Sequence, residues 1–213
     1  KKIFTKKDFN LPEKSFVFCC FNHNYKILPD MFETWLRILS KVKNSVIWLL
    51  IDNDIAKNNL RKILISRNIN PDRLIFANRV SHSEHLTRLG LADLFLDTFP
   101  CNAHTTASDA IRSNLPIITL KGKSFASRVA SSLLTSVGLE QLITETVEDY
   151  EKLAIKIAED KTFYNDIKNK LKKNVINMPL FDTKLFTKNL EIAYEEVYKN
   201  LLENKKPKSL VIN

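Results

Sequence analysis

The sequence predicts an α/β domain that is doubly wound, an open parallel sheet with helices on both faces. Two observations predict it. Five short apolar, β-branched runs are each followed by a segment with helical spacing. The runs are also continuous rather than alternating, as strands buried on both faces require. Strand–helix–strand connections are right-handed, so the crossovers can cover both sides of one sheet.

The elements follow in order. "FVFCCF" (16–21) is the first strand and leads into the polar loop "NHNYKIL". Pro29 then opens "PDMFETWLRILSKV", where Phe32, Trp35, Leu36 and Leu39 recur at helical spacing. "SVIWLLI" (45–51) is the second strand and 54–68 an amphipathic helix. "RLIFAN" (73–78) and "SHSEHLTRL" (81–89) form the third pair. "ADLFLDT" (92–98) is the fourth strand, with its helix over 105–113. "LPIITL" (115–120) is the fifth, and "SFASRVASSLLTSVG" (124–138) the helix after it. Beyond residue 145 the strand signal stops, and 147–159, 161–174 and 183–203 read as helices, with "NMPLFD" breaking the last two. The domain plan is therefore a sheet domain over 1–145, C-terminal helices over 146–204 packed on it, and a tail over 205–213.

Composition removes several function classes. With 213 residues, 44% hydrophobic and 27% charged, the chain can bury a core and is not disordered. The net charge of +9 invites a nucleic-acid reading. The lysines, however, gather in "NDIKNKLKKN" and "ENKKPKS", with no basic stripe interleaved with stacking aromatics, so solvated helix faces are expected and no nucleic acid. No apolar run is long enough to span a bilayer, and "KKIFTKKDF" lacks the apolar core of a signal peptide, so no membrane partner is expected. Cys19, Cys20 and Cys101 make an odd set without metal-finger spacing; buried thiols in a reducing cytoplasm are the expectation. The chain does not begin with Met and reads as a piece of something longer.

Sheets of this kind bind ligands beyond the carboxyl ends of their strands. Three polar loops fall on that rim: 22–26, 78–85 and 99–106. No glycine-rich dinucleotide signature and no P-loop occurs, yet a helix N-terminus can hold a phosphate without either. His104, Thr105 and Thr106 offer an imidazole, two hydroxyls and free amides at such a turn. A local alternative stands beside this one, since Thr106-Ala107-Ser108-Asp109 also fits a capping box. Lys26 is either a phosphate-seeking cation or a solvated loop lysine. His82 and His85 share a helix face but lack a third metal ligand nearby, and Arg88 lies one turn on, in reach of Glu84 at i and i+4. Arg128 could reach an anion from the fifth loop or simply solvate its helix.

Taken together, "FVFCCFNHNYKI", "EHL…LADLFLDT", "CNAHTTASDA", "FASRVASSLL" and "PLFDTKLFT" resemble the O-GlcNAc transferase/SPINDLY family of glycosyltransferases, the bacterial SPINDLY-like members in particular. The resemblance runs from about residue 4 to 200. It implies the C-terminal, donor-binding half of a GT-B glycosyltransferase, one of two Rossmann-like halves. It further implies an inverting, metal-independent protein O-glycosyltransferase with no cofactor beyond its nucleotide-sugar donor. An acceptor-binding half and tetratricopeptide repeats are expected upstream, and the fragment is expected to be inactive alone.

By position, the resemblance assigns Lys26 to the distal phosphate and, with His104, to catalysis. His104, Thr105 and Thr106 would line the diphosphate and sugar, Asp109 the ribose, and His85 the base with Arg88 close by. His23 and His82 stand where animal members have Gln and Lys, both beside the donor. Asn114 replaces a usual Gly, in a position where Asn tolerates the left-handed cap. UDP-GlcNAc is the leading donor, with GDP-fucose open; the alternative function is a non-catalytic nucleotide-sugar-binding or scaffold module.

Overall fold

A computed structural model describes residues 4–212; residues 1–3 and 213, the extreme ends of the expected sheet domain and tail, lie outside the described residues. Five strands form where the apolar runs predict them: β1 (Phe16–Cys20), β2 (Ser45–Leu50), β3 (Leu74–Ala77), β4 (Leu94–Leu96) and β5 (Ile117–Leu120). A sixth, β6 (Ile143–Thr144), pairs its two residues with Thr119 and Leu120 of β5 and was not foreseen. All pairings are parallel, and the strand order is β3-β2-β1-β4-β5-β6.

Successive residues Val17, Phe18, Cys19 and Cys20 of β1 are all buried, so both faces of the sheet are covered. Each fully buried large apolar side chain of this kind contributes roughly 1.5–3 kcal/mol. The covering helices are α1 (Pro29–Lys41), α2 (Asp54–Ser66), α3 (His82–Leu89), α4 (Thr105–Arg112), α5 (Val129–Ser136), α6 (Val147–Glu159), α7 (Lys161–Asn177) and α8 (Thr183–Leu202). Their starts follow local chemistry. Pro29 takes the first turn of α1, Asn53 accepts from the Ala56 amide at 3.1 Å, and Ser81 and Glu84 cap α3 reciprocally. Asn114 ends α4 in the left-handed region at φ 57°, as its side chain permits.

The segment after β5 is not one helix over 124–138. Phe125–Ser127 form a 3-10 turn and α5 begins only at Val129. Gly122 explains the break. Its amide donates to the Ser127 carbonyl at 2.9 Å, and a Cβ there would lie 2.4 Å from Ser127 Oγ. The C-terminal helices are part of the core: α6 buries Tyr150, Ala154 and Ile157, and α7 buries Ile167 and Leu171. α8 buries no residue and leaves Phe186, Tyr194 and Val197 at the surface.

Candidate functional site

The strand order reverses between β1 and β4, and loops leaving neighbouring strands in opposite directions open a crevice at that point. A cavity of about 460 Å³ lies there. The loops after β1, β3 and β4 all reach it. His23 and Lys26 come from the first, His82, His85 and Arg88 from the start of α3, and His104, Thr105, Thr106 and Asp109 from the start of α4. The structure thus brings all nine candidate residues around one cavity. Arg128 is not among them. It lines a separate cavity of about 610 Å³ with Lys121 and Phe125.

One end of the cavity gathers Lys26, His104, Thr105 and Thr106. Lys26 is not a solvated lysine, because its ammonium donates to the Asn102 carbonyl at 2.9 Å and is held over the turn. His104 precedes the first turn of α4, and its Nε2 is buried without a hydrogen-bond partner. Its ring meets the Phe125 ring edge-on, 6.0 Å between centres. Thr105 and Thr106 are the first two residues of α4, whose amides have no intrahelical acceptor. The capping box does not form. The helix starts before Thr106, whose hydroxyl donates to Asn22 Oδ1, while Asp109 faces His82 with Nε2 3.3 Å from Oδ1.

Beneath the turn are two residues the sequence reading passed over, Asp97 and Asn22. Asp97 is fully buried at the end of β4. Its Oδ1 accepts from the amides of Thr98 (2.8 Å) and Ala103 (2.6 Å), and Oδ2 from the Thr119 hydroxyl (2.7 Å). Asn22 Nδ2 donates to Thr98 Oγ1 at 2.8 Å and reaches Asp97 Oδ1 at 3.4 Å. Burial pushes the Asp97 carboxyl up to about 7 against the pull of these donors, Thr119 first. The Thr119 hydroxyl can donate or accept, so that contact survives either protonation state. The available signal was an acid ending a wholly apolar strand.

The other end is less polar. Phe21, Leu50 and Val80 line it beside His85, whose ring stands edge-on to Phe21 at 5.2 Å. Burial, then the Arg88 charge, pushes His85 down to about 4, so it is neutral at pH 7. Its Nδ1 accepts from Arg88 Nε at 3.2 Å, which puts the ring proton of the neutral imidazole on Nε2. Arg88 is buried rather than a surface partner for Glu84. Its guanidinium lies 4.8 Å from the Phe21 ring centre and donates to the Asn78 carbonyl at 2.6 Å. Arg88 therefore supports the wall more than it presents charge. His23 sits at the rim, stacked on exposed Tyr25 at 5.3 Å.

Among the described residues no group of three or more His, Cys, Asp or Glu could hold a metal ion. Cys19 and Cys20 are buried, with thiols that burial raises, whereas Cys101 is only half-buried, contrary to expectation. No helix among the described residues is long and apolar enough to cross a membrane.

With this geometry in place, the relatives of the chain are informative. The model of glycosyl transferase family 41 matches residues 2–190. The chain is 38% identical over 194 residues to the probable UDP-N-acetylglucosamine–peptide N-acetylglucosaminyltransferase SEC of Arabidopsis thaliana, covering 91% of this chain and 20% of that protein. It is 33% identical over 195 residues to the UDP-N-acetylglucosamine–peptide N-acetylglucosaminyltransferase of Caenorhabditis elegans, covering 92% and 17%. The chain thus spans about a fifth of the length of these curated relatives. Among solved structures, a mutant O-GlcNAc transferase of Thermobaculum terrenum superposes with a TM-score of 0.84 at 26% identity, over 89% of this chain and 37% of that one. The family match runs through every strand of the sheet and every wall of the cavity, and the chain belongs to glycosyl transferase family 41.

Proposed function

We propose that the cavity is the donor site of an inverting, metal-independent protein O-glycosyltransferase, and that its donor is UDP-GlcNAc. The observation that carries this reading is the anion end. Lys26 and His104, whose buried Nε2 has no hydrogen-bond partner, line one space with the first turn of α4. A diphosphate placed there meets a cation, an imidazole and the positive end of a helix. The apolar end, with neutral His85, suits a base, and Asp109 between them suits the ribose hydroxyls. The names of the relatives favour UDP-GlcNAc over GDP-fucose.

In this reading an acceptor Ser or Thr hydroxyl attacks the sugar at C1 from the face opposite the diphosphate and gives up its proton to a general base of the assembled enzyme. The C1–O bond breaks and its electron pair ends on the leaving diphosphate, which Lys26, His104 and Thr105 stabilise. Donors aimed at developing charge are typically worth about 10²–10³ in rate each. The acceptor is a protein, and the acceptor-binding half and tetratricopeptide repeats of the same polypeptide complete the enzyme, in the cytoplasm.

Calorimetric titration of the 213-residue chain with UDP, GDP, UDP-GlcNAc and GDP-fucose tests the proposal. UDP and UDP-GlcNAc should bind and compete. Binding of neither, or tighter binding of GDP and GDP-fucose, would overturn the donor assignment.

A further inference from the structure

We propose that Asp97 is the positioning residue of the anion-binding turn: its buried carboxyl group, through the Ala103 amide and Asn22, sets the place of His104, Thr105 and Thr106. The inference rests on the reading that this turn holds the nucleotide diphosphate.

Three separate elements meet on this one side chain. Oδ1 takes the amides of Thr98 and Ala103, one residue in from each end of the irregular 97–104 loop between β4 and α4, and so closes it into a compact ring. Ala103 is the residue immediately before His104, and its amide lies 2.6 Å from Oδ1. Oδ2 takes the Thr119 hydroxyl of β5 at 2.7 Å, which fixes the ring against a second strand. On the β1 side, Asn22 Nδ2 spans Thr98 and Asp97, and Asn22 Oδ1 receives the Thr106 hydroxyl from α4. Tyr150 of α6 adds a bond to the Asp97 main-chain carbonyl at 3.0 Å, so the residue is held at both ends. Burying a carboxylate is costly unless its lone pairs are met, and an apolar side chain here could not hold the Ala103 amide. Asn22 turns its polar atoms toward the protein, so it too acts through the turn.

The test measures UDP affinity by calorimetry and the thermal midpoint for the unsubstituted 213-residue chain and a small set of variants. Asp97→Ala should weaken UDP binding at least about tenfold, the loss expected from one or two misplaced donors. Asp97→Asn keeps an acceptor for Thr98 and Ala103 and should restore affinity to within about threefold. Tyr164→Phe, which loses a 3.2 Å bond to Asp93, is the control: the midpoint should fall with affinity unchanged. A folded Asp97→Ala chain with unchanged affinity would overturn the proposal, as would Asp97→Asn binding no better than Asp97→Ala. Should Asp97→Ala fail to fold, Asn22→Ala decides, with tenfold weaker binding expected and unchanged binding the contrary result. Failure of the unsubstituted chain to bind UDP would instead refute the donor-site reading itself.

Discussion

The Lys26 ammonium donates to the Asn102 carbonyl at 2.9 Å, joining the loop after β1 to the loop after β4. That bond uses one of three ammonium protons and leaves two for an anion. Lys26→Ala should therefore weaken UDP binding by about tenfold to a hundredfold, the worth of a charge-assisted contact of ~1.5–3 kcal/mol. Lys26→Arg should recover little, because a planar fork does not replace a point charge at this bridge. Calorimetry on both variants checks the point, and an unchanged affinity for Lys26→Ala removes Lys26 from the site.

His104 behaves differently. Its Nε2 has no protein partner to lose, so His104→Ala should cost little stability. A shift in thermal midpoint within about 2–4 °C is expected, with UDP affinity down about tenfold. A large fall in midpoint with intact affinity would make His104 a packing residue.

His85 and Asp97 pull stability in opposite directions as pH changes. His85 is pushed from 6.5 down to about 4, so in that window the unfolded chain binds a proton that the folded one refuses. Its contribution is full above the window and is lost as pH falls through it. Asp97 is raised from 3.8 to about 7, so the folded chain keeps a proton that the unfolded one releases. Its contribution is lost as pH rises through that window. Denaturant midpoints at about pH 4.5 and 6.5 test the signs. Relative to the unsubstituted chain, His85→Gln should tilt the profile toward lower stability at the higher pH. Asp97→Asn should tilt it the other way.

Gly122→Ala should destabilise by about 1–3 kcal/mol, the usual cost of overpacking. Its Cβ would meet Ser127 Oγ at 2.4 Å and Phe99 at 2.9 Å, and both would have to move. Chemical denaturation measures the change; less than about 0.5 kcal/mol would mean the 122–127 turn relaxes freely.

The sheet was legible because "FVFCCF", "SVIWLL" and "LPIITL" are buried on both faces, which leaves an unbroken apolar signature. β6 was not, since two residues carry no periodicity and their pairing with β5 is set by tertiary contact. At the site, the polar residues beyond strand ends stood out, and the topology gathers them on one cavity. What stayed hidden was burial. Asn22 looks like an ordinary loop residue and Asp97 like the polar end of a strand until the packing removes them from water, and Arg88 looks like a surface cation until its guanidinium is found over Phe21. The TASD spacing misled for a related reason. His104 already occupies the cap position, so Thr106 and Asp109 are free for partners on other elements.

The Tyr150 hydroxyl bridges Trp35 of α1, at 3.4 Å, to the main chain at Asp97. Tyr150 belongs to α6, well past the last residue that lines the cavity. A truncation designed around the binding loops would stop near residue 145 and strip this ring away, uncovering Trp35 and leaving the Asp97 carbonyl to water. Anyone trimming the chain for expression or crystallisation should keep α6 and α7, because the stretch that must fold is longer than the stretch that touches a ligand.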